Sequence, residues 1–261
     1  MDNISSEKSI ISLGAWLQSP AGSYVRNWEQ ACLEKLTTDI FGFHATQIGL
    51  PQIEALRGSR MPHTWLTDVQ LPAADHDNAA RPLVAIQEFE ELPYASASID
   101  LVVLPHVLEF VAEPHQVLRE VERVLIPEGQ VIICGFNPWS LWGARQMLGR
   151  VSDDYFLPQD GDFIGLPRIK DWLKLLNMET ANGCFGCYAP PCETEKWLNR
   201  FAFMENAGER WWSVLGAVYV VQAVKRVKGM RLIGPAWKTH KAKARQGVPA
   251  TNKIHKQGGN G

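Results

Sequence analysis

Three short runs of apolar residues, each bounded by turn residues, follow one another in the middle of the chain. They span residues 82–86, 101–104 and 131–134, and the turn sequence Pro127-Glu128-Gly129 precedes the third. A helical spacing of apolar residues begins at Pro114, between the second and third runs. Continuous apolar strands that alternate with helices are typical of a parallel sheet buried on both faces. The pattern therefore predicts three strands of such a sheet.

The flanking sequence extends this alternation in both directions. An amphipathic helix is predicted from Gly22 to Leu36, with Ser19-Pro20 as its start signal. Further predicted strands cover residues 44–49, 63–69, 179–188 and 215–224, and further predicted helices cover 139–148, 168–176 and 194–204, with one more beginning at residues 53–56.

Ligands in open parallel sheets bind at the carboxyl ends of the strands. The residues that directly follow the three central runs are therefore the first candidates for a functional site. They are residues 87–90, 105–109 and 135–138.

Several strings in the central region resemble a known family. The chain contains Leu92-Pro93-Tyr94, then Ile99-Asp100-Leu101-Val102, and then Leu118-Arg119-Glu120 followed by Arg123-Val124-Leu125. These strings are similar to the second half of the core of class I S-adenosylmethionine-dependent methyltransferases. The strings HVLEF and GFNPWSLWG further resemble a group of uncharacterised bacterial proteins labelled as predicted methyltransferases. The likeness extends over residues 16–227 and is strongest in the middle third.

The resemblance implies an α/β fold with a single doubly wound, mostly parallel sheet of about seven strands. This is the Rossmann-like class I methyltransferase architecture, in which the last strand runs antiparallel. The resemblance also implies methyl transfer from S-adenosylmethionine, and we expect a small-molecule acceptor. The domain is predicted to occupy residues 15–228, between a flexible N-terminus of residues 1–14 and a basic, disordered tail of residues 229–261.

The turn after the first predicted strand departs from the family pattern. The family carries an acidic residue and a glycine-rich turn there, because the backbone must approach the cofactor without an intervening Cβ. Here the corresponding residues are Gln47 to Ile53, in which Gly49 is the one glycine that remains and Pro51 has no N–H to offer. Two readings stay open. Either Gln47 and Gly49 form an altered cofactor cradle, or the cofactor site is lost.

Other candidate cofactor ligands are assigned by their positions in the resemblance. Glu88 stands where the family carries an acid facing the adenine amino group, although a solvated acid in an acidic loop is an equal alternative. Asp68, near the end of the second strand, could accept from ribose hydroxyls, with a turn role as the favoured alternative. Phe89 and Pro105 complete the predicted cofactor-binding set.

Three residues are candidates for catalysis at the strand ends. His106 could act as a base that deprotonates the acceptor, since its ordinary pKa lies near neutrality, or it could be a hydrogen-bonded structural residue. Glu109 could pair with His106 or bind a cationic acceptor. Asn137 could orient the substrate or simply form an Asn-Pro turn. The rival to an enzyme is a non-catalytic binding or regulatory module of the same fold.

The ten Trp residues of the chain include two clusters, Trp139 with Trp142 and Trp211 with Trp212. Large aromatic residues mostly pack the interior, so we favour a packing role. The alternative is an aromatic wall around an apolar substrate.

Composition narrows the remaining possibilities. Apolar residues make up 46% and charged residues 21% of the 261 positions, as in an ordinary globular domain. The most apolar stretch, residues 211–224, is too short to cross a bilayer, and no signal peptide is apparent. The five Cys are therefore expected to be reduced thiols in the cytoplasm. Cys184, Cys187 and Cys192 have no fourth ligand nearby, so no metal site is expected.

The net charge of −2 hides a strong asymmetry. The ten Lys and Arg residues from Lys225 onwards carry +10 without any acid, which leaves −12 on the preceding residues. Such a tail could attract an anionic partner, or it could be a solvated end. Its basic residues have little aromatic interleaving, so specific nucleic-acid recognition is not indicated.

Overall fold

The computed structural model describes residues 12–69, 82–86, 88–152, 155–158 and 161–226, without the side chains of residues 150–152. These residues fall within one compact unit. The predicted tail of residues 229–261 and the first eleven residues lie outside the described part. From Ser12 to Trp16 the chain is helical, and Leu13 is fully buried.

Besides the helical segment at residues 12–16, the described residues form seven strands and six helices. The strands are β1 (His44–Ile48), β2 (His63–Asp68), β3 (Leu83–Ala85), β4 (Ile99–Pro105), β5 (Leu125–Phe136), β6 (Met178–Gly186) and β7 (Val218–Lys225). The helices are α1 (Pro20–Thr38), α2 (Pro114–Val124), α3 (Leu141–Ser152), α4 (Leu166–Leu175), α5 (Glu195–Arg200) and α6 (Phe203–Trp211), with 3-10 turns at Val107–Glu109 and Ser213–Leu215.

The seven strands lie in one sheet in the order β3-β2-β1-β4-β5-β7-β6. The first five strands pair in parallel, and β7 runs antiparallel to both β5 and β6. Residues 101–104 of β4 are fully buried, as a strand covered on both faces must be. The predicted doubly wound sheet of about seven strands with an antiparallel last strand is confirmed.

Helix α1 begins where the sequence predicts. The Ser19 hydroxyl accepts a hydrogen bond from the Gly22 N–H at 3.0 Å, and Pro20 occupies the first helical position. A side-chain acceptor at this position satisfies one of the N–H groups that the first turn leaves unpaired. The start signal read from the sequence is therefore a real helix cap.

Two of the strings that carry the family resemblance, residues 92–94 and 118–125, contact each other and form a structural clamp. The Arg123 guanidinium on α2 donates to the carbonyls of Leu92 at 3.0 Å and Tyr94 at 2.8 Å, and it binds Glu120 through two N–H groups. Glu120 in turn accepts from the Leu92 N–H at 3.2 Å. Helix α2 therefore fixes the segment that follows β3, on which the candidate residue Glu88 lies.

Three element predictions differ from the structure. Residues 51–58 form turns, so the predicted helix at residues 53–56 is wrong. The single helix predicted over residues 194–204 is instead the start of two helices, α5 and α6. Strand β5 begins at Leu125, earlier than predicted, because Leu125 pairs with Ile99 before a register shift restores the main ladder.

None of the helices in the described ranges has both the length and the apolar character needed to cross a bilayer.

Candidate functional site

The predicted site residues follow the strands at the carboxyl edge of the sheet. Gly49 follows β1, Asp68 ends β2, Glu88 lies shortly after β3, and His106 and Asn137 directly follow β4 and β5. Parallel neighbouring strands bring these positions to one edge of the sheet. The topology therefore places the candidate residues together, and the side-chain contacts decide what each of them does.

The Gln47 side chain organises the turn after β1. Its Nε2 donates to the carbonyls of Gly49 at 3.1 Å, Leu50 at 2.9 Å and Ile53 at 2.7 Å, while its Oε1 accepts from the Ala55 N–H at 3.0 Å. Gln47 is almost fully buried. Its amide is thus committed to the protein backbone, and it holds the turn.

The same contacts hold the segment after β1 as a turn. Gln47 Nε2 binds the Gly49 and Leu50 carbonyls. The Leu50 carbonyl also accepts from the Ile53 N–H three residues later, and the Ala55 N–H donates to Gln47 Oε1. Leu50 has a positive φ of 45° and is buried together with Ile53, which stands where the family has glycine. The turn is therefore closed by buried apolar side chains and an internal amide.

Gly49 is the point where three strand-end segments meet. Its φ of +73° is one that glycine adopts without strain, and its N–H donates to the Thr67 carbonyl at 2.7 Å. A Cβ at this position would lie 3.1 Å from Val107 Cγ2 and 3.7 Å from Phe89 Cε1. The segments after β1, β3 and β4 converge here, and the apolar side chains of Phe89 and Val107 occupy the space beside Gly49.

Two carboxylates lie at the β2 and β3 end of this edge. Asp68 is nearly buried, its Oδ1 accepts from the Val69 N–H at 2.7 Å, and its carbonyl accepts from the Ile86 N–H at 3.0 Å. Glu88 is exposed to solvent. Both residues occupy the positions predicted from the sequence.

His106 lies in a buried ion-pair cluster with two carboxylates. Its Nδ1 is 2.7 Å from Glu109 Oε2, and its Nε2 is 2.6 Å from Glu29 Oε1. Glu109 Oε1 also accepts from the Phe136 N–H at 2.6 Å. All three charged side chains are almost completely shielded from solvent. The cluster therefore connects α1 with the ends of β4 and β5.

Electrostatics keep His106 protonated. Burial lowers the pKa of His106, but the carboxylates of Glu29 and Glu109 outweigh burial and raise it to about 10. Burial raises the pKa of Glu109, against the opposing effect of His106. With both ring nitrogens bonded to carboxylates, His106 has no nitrogen available to an acceptor in this conformation. Its role as a base stays a prediction, and the geometry favours the structural alternative.

Glu29 is a member of this cluster that the sequence reasoning missed. It lies between Val25 and Leu33 on the buried face of α1, at a spacing of four residues. An acid on the apolar face of a helix is a signal that it has a buried partner. Its second oxygen, Oε2, is buried without a hydrogen-bond partner among the described residues.

Asn137 joins the end of β5 to the segment that precedes β7. Its Nδ2 donates to the carbonyls of Val214 and Gly216, each at 2.9 Å, and its Oδ1 accepts from the Trp139 N–H at 3.2 Å. The side-chain amide is fully used and buried. A direct role of Asn137 in catalysis stays a prediction, and the turn alternative accounts for its contacts.

An apolar pocket opens beside Asn137 at the same edge of the sheet. It has a volume of about 220 Å³. Two of its lining donors bond to the protein itself, since Trp142 Nε1 donates to the Ala189 carbonyl and the Tyr188 hydroxyl donates to the Ser213 carbonyl, both at 2.7 Å. The lining residues are Leu141, Trp142, Cys187, Tyr188, Ala189, Met204, Trp212 and Leu215.

Of the two tryptophan clusters, Trp142 packs in the interior as predicted, whereas Trp139 and Trp211 are each 76% exposed, so the packing prediction is wrong for these two. Trp142 packs edge-on against Trp16 and Phe156 in the interior. Trp142 and Trp212 also form part of the pocket wall. Within the described ranges, no group of three or more His, Cys, Asp or Glu residues is arranged to hold a metal ion.

Comparisons with known proteins agree with this architecture. A methyltransferase domain model matches residues 55–133. YafS of Escherichia coli K12, an uncharacterised protein, is 28% identical over 249 residues, which cover 95% of this chain and 96% of YafS. A Thermotoga maritima SAM-dependent methyltransferase, described as a possible histamine N-methyltransferase, aligns with a TM-score of 0.56 at 14% identity, over 78% of this chain and 92% of that chain. The chain has the class I methyltransferase fold.

The same fold also carries other activities. The [4+2]-cyclase SpnF aligns with a TM-score of 0.53 at 15% identity, over 76% of this chain and 80% of that chain. Fold alone therefore does not determine the reaction, and the site residues must be considered one by one.

The site suits the nucleoside half of S-adenosylmethionine, the cofactor that this fold implies, better than its methionine half. Asp68 and Glu88 offer carboxylate acceptors for the hydroxyl and amino groups of a nucleoside. On the methionine side, Gly49 keeps the required conformation, but Val107 and Phe89 lie against it. The residues present therefore offer acceptors for the nucleoside, whereas on the methionine side the space beside Gly49 is occupied by Val107 and Phe89.

Proposed function

We propose that the chain is an S-adenosylmethionine-dependent methyltransferase that acts on a small, mainly apolar acceptor. The observation that carries the proposal is the convergence of the segments after β1, β3 and β4 at Gly49, beside the acid that ends β2. These are the positions at which a class I sheet binds its cofactor. The methyltransferase domain match over residues 55–133 supports the same assignment.

The chain's own residues would bind and orient the cofactor. Asp68 and Glu88 would accept hydrogen bonds from the nucleoside, and the backbone at Gly49 and Pro105 would border the rest of the cofactor. The bound cofactor supplies an electrophilic methyl group, so the protein's contribution to rate is mainly orientation. His106, Glu109 and Asn137 would act by positioning the segments after β4 and β5, since their polar atoms contact protein groups.

The apolar pocket is the proposed acceptor site. It is lined by segments that follow β5 and β6 and precede the antiparallel strand β7, at the sheet edge on which the proposed cofactor residues also lie. An apolar cavity of about 150 Å³ can bind benzene, so a pocket of about 220 Å³ has room for a substituted ring or a short aliphatic chain. Its lining of mainly apolar side chains favours an apolar group over a highly polar one.

Calorimetric titration with S-adenosylmethionine and its demethylated product tests the cofactor assignment. We expect binding, with Glu88→Gln and Asp68→Asn each weakening it several-fold. The matched control is Glu91→Gln, which neutralises an exposed acid of the same loop and should leave the affinity unchanged. Absence of binding at millimolar concentration of both ligands would contradict the proposal.

The acceptor assignment is tested with S-adenosylmethionine that carries a tritiated methyl group. Incubation with small molecules from a bacterial extract should label a product that partitions into organic solvent. Leu215→Trp, at the half-exposed rim of the pocket, should reduce this labelling and leave cofactor affinity unchanged. Labelling that stays in the aqueous phase would contradict an apolar acceptor.

A non-catalytic binding module is the second candidate function. The observation that favours it is the turn after β1, which Gln47 closes from inside and which buries Leu50 and Ile53. A module of this kind would bind neither S-adenosylmethionine nor its product, or would bind without transferring a methyl group. The titration and the labelling experiment together separate these outcomes from the enzyme.

A further inference from the structure

Helix α1 lies against the edge strand β6 through two successive contacts. At the first, an added Cβ on Gly186 would overlap the Trp28 indole, so the ring rests directly on the strand backbone. At the second, the Sγ atoms of Cys32 and Cys184 are 2.6 Å apart. The helix and the strand are therefore in close contact at both points.

The distance between the two contacts is nearly the same along α1 and along β6, and this places the two cysteines opposite each other. Trp28 and Cys32 are four residues apart on α1, a rise of about 6 Å along the same helix face. Gly186 and Cys184 are two residues apart on β6, about 6.8 Å along the same strand face. Because the spacings agree, seating Trp28 on Gly186 also sets Cys32 opposite Cys184.

We propose that Cys32 and Cys184 are an oxidative modification site, at which a reversible disulfide joins α1 to β6. Their sulfur atoms are about 0.6 Å farther apart than in a disulfide, so bond formation needs only a small side-chain adjustment. Both thiols are partly exposed, which gives a small oxidant access. The proposal is independent of the proposed methyl transfer.

The surroundings of the two thiols assign them different roles. The hydrogen bond from Cys32 lowers the pKa of Cys184, and the charge of Lys35 adds to this effect. The same hydrogen bond and burial raise the pKa of Cys32. Burial raises the pKa of Cys134 and of Cys187, which makes these two thiols unreactive. The positive charge of Lys35 favours Cys184 as the attacking thiolate, with Cys32 as the resolving thiol, and the same disulfide forms if the two roles are exchanged.

The reaction takes hydrogen peroxide as the oxidant. The Cys184 thiolate attacks one peroxide oxygen, the O–O bond breaks, and the departing hydroxide takes up a proton to give water and a sulfenic acid on Cys184. The Cys32 sulfur then attacks the Cys184 sulfur and displaces hydroxide, which takes the Cys32 proton to give a second water. Two thiols lose two electrons and two protons in total, and peroxide accepts both.

The disulfide would also restrict the movement of the buried ion-pair cluster. Glu29, which binds His106, lies three residues before Cys32 on α1. Locking α1 to β6 therefore holds Glu29 against His106 and the segment after β4. The bond would link residues 152 positions apart, and closing so long a loop removes much of the freedom of the unfolded chain.

Mass spectrometry after thiol trapping tests the proposal. The reduced full-length protein is treated with hydrogen peroxide in slight excess, unfolded, and alkylated with N-ethylmaleimide. We expect five alkylated thiols before oxidation and three after it, with all five restored by dithiothreitol. Five alkylated thiols after oxidation, or a loss that dithiothreitol does not reverse, would overturn the proposal.

Single substitutions assign the bond, since no Lys or Arg separates Cys184 from Cys192 and trypsin leaves both in one fragment. Cys32→Ser and Cys184→Ser should each abolish the loss of two thiols, whereas Cys192→Ser, at another partly exposed cysteine, should preserve it. If oxidation of the Cys184→Ser variant still links Cys32 to Cys192, the proposed pairing of Cys32 with Cys184 is overturned. If a serine variant does not fold, the alanine variant at the same position replaces it.

Thermal unfolding provides a second readout that needs no variant. Oxidation of the wild-type protein should raise the thermal midpoint by about 5–15 °C, the range expected for a bond that closes a long loop in a domain of this size. Dithiothreitol should return the midpoint to its starting value. A lower midpoint on oxidation would mean that the bond distorts the contact between α1 and β6, which contradicts the proposed geometry.

Discussion

At the carboxyl edge of the sheet, His106 and Gln47 use their polar side-chain atoms to bind other groups of the protein. His106 has the residue type and position of a catalytic base, yet both of its nitrogens face carboxylates and its pKa is raised to about 10. Gln47 stands at the family's acidic position, yet its amide holds three carbonyls of its own turn. In both cases the residue type was visible in the sequence. The pairing of His106 with Glu109 was predicted, whereas the contact with Glu29 and the three carbonyl partners of Gln47 were not.

The raised pKa of His106 predicts that stability falls at alkaline pH. The pKa of His106 is about 6.5 in the unfolded chain and about 10 in the folded protein. The protonated imidazole therefore stabilises the fold fully below pH 6.5, and this stabilisation is lost as the pH rises through about 10. The raised pKa of Glu109 acts in the same direction. The free energy of unfolding in urea should therefore fall by about 3–5 kcal/mol between pH 6.5 and pH 10.

The source of this slope can be isolated by substitution. His106→Asn removes the titrating imidazole, so the decline that remains should begin below pH 6.5, where the buried Glu109 carboxyl starts to titrate, and the variant should be less stable throughout. Glu29→Gln removes one of the two carboxylates that raise the pKa and should move the decline to lower pH. An unchanged profile in both variants would show that other groups cause the slope.

Gln47→Glu should destabilise the protein, although it restores the family's residue. A carboxylate cannot donate to the carbonyls of Gly49, Leu50 and Ile53, and it would place a buried charge against them. We expect a loss of about 3 kcal/mol at pH 7 in urea unfolding, and a smaller loss for the uncharged Gln47→Met. A stable Gln47→Glu variant with tighter S-adenosylmethionine binding would instead show that the turn can adopt the family's conformation.

At the level of helices and strands, apolar runs were the reliable signal. The runs at residues 101–104 and 131–134 became central strands because a strand covered on both faces has no polar side to display. The turn at residues 51–58 was misread because its spacing of apolar residues suits a helix. The capture of its carbonyls by Gln47 is a side-chain effect that a spacing pattern does not encode.

The clamp between α2 and the segment after β3 should carry measurable stability. Arg123→Ala removes the donors to Leu92, Tyr94 and Glu120, and since the guanidinium is partly exposed we expect a loss of about 2 kcal/mol in urea unfolding. Arg123→Lys should recover only part of it, because an ammonium lacks the planar fork. Arg119→Ala, on the exposed side of the same helix, is the control and should change stability by less than about 0.5 kcal/mol.

At the scale of the whole molecule, the seven-stranded architecture could be predicted and the distant contacts could not. Family strings implied the seven-stranded sheet, and the topology then brought Gly49, Asp68 and Glu88 to one edge. Glu29 lies 77 residues from His106 in sequence, so only the folded chain reveals their contact. The pocket depends in the same way on segments after β5 and β6 that come together in three dimensions.

Removing residues 239–261 should leave the stability of the domain nearly unchanged. This segment contains many Lys, Gly, Ala and Gln residues and almost no large apolar ones, so burial could not offset the entropy of ordering it. The thermal midpoint of the truncated protein should lie within about 2 °C of the full-length value, a shift of less than about 1 kcal/mol for a domain of this size. A midpoint that drops strongly at low salt and recovers at high salt would contradict this. It would show that the positive segment binds the acidic residues of the domain, because salt screens such an attraction.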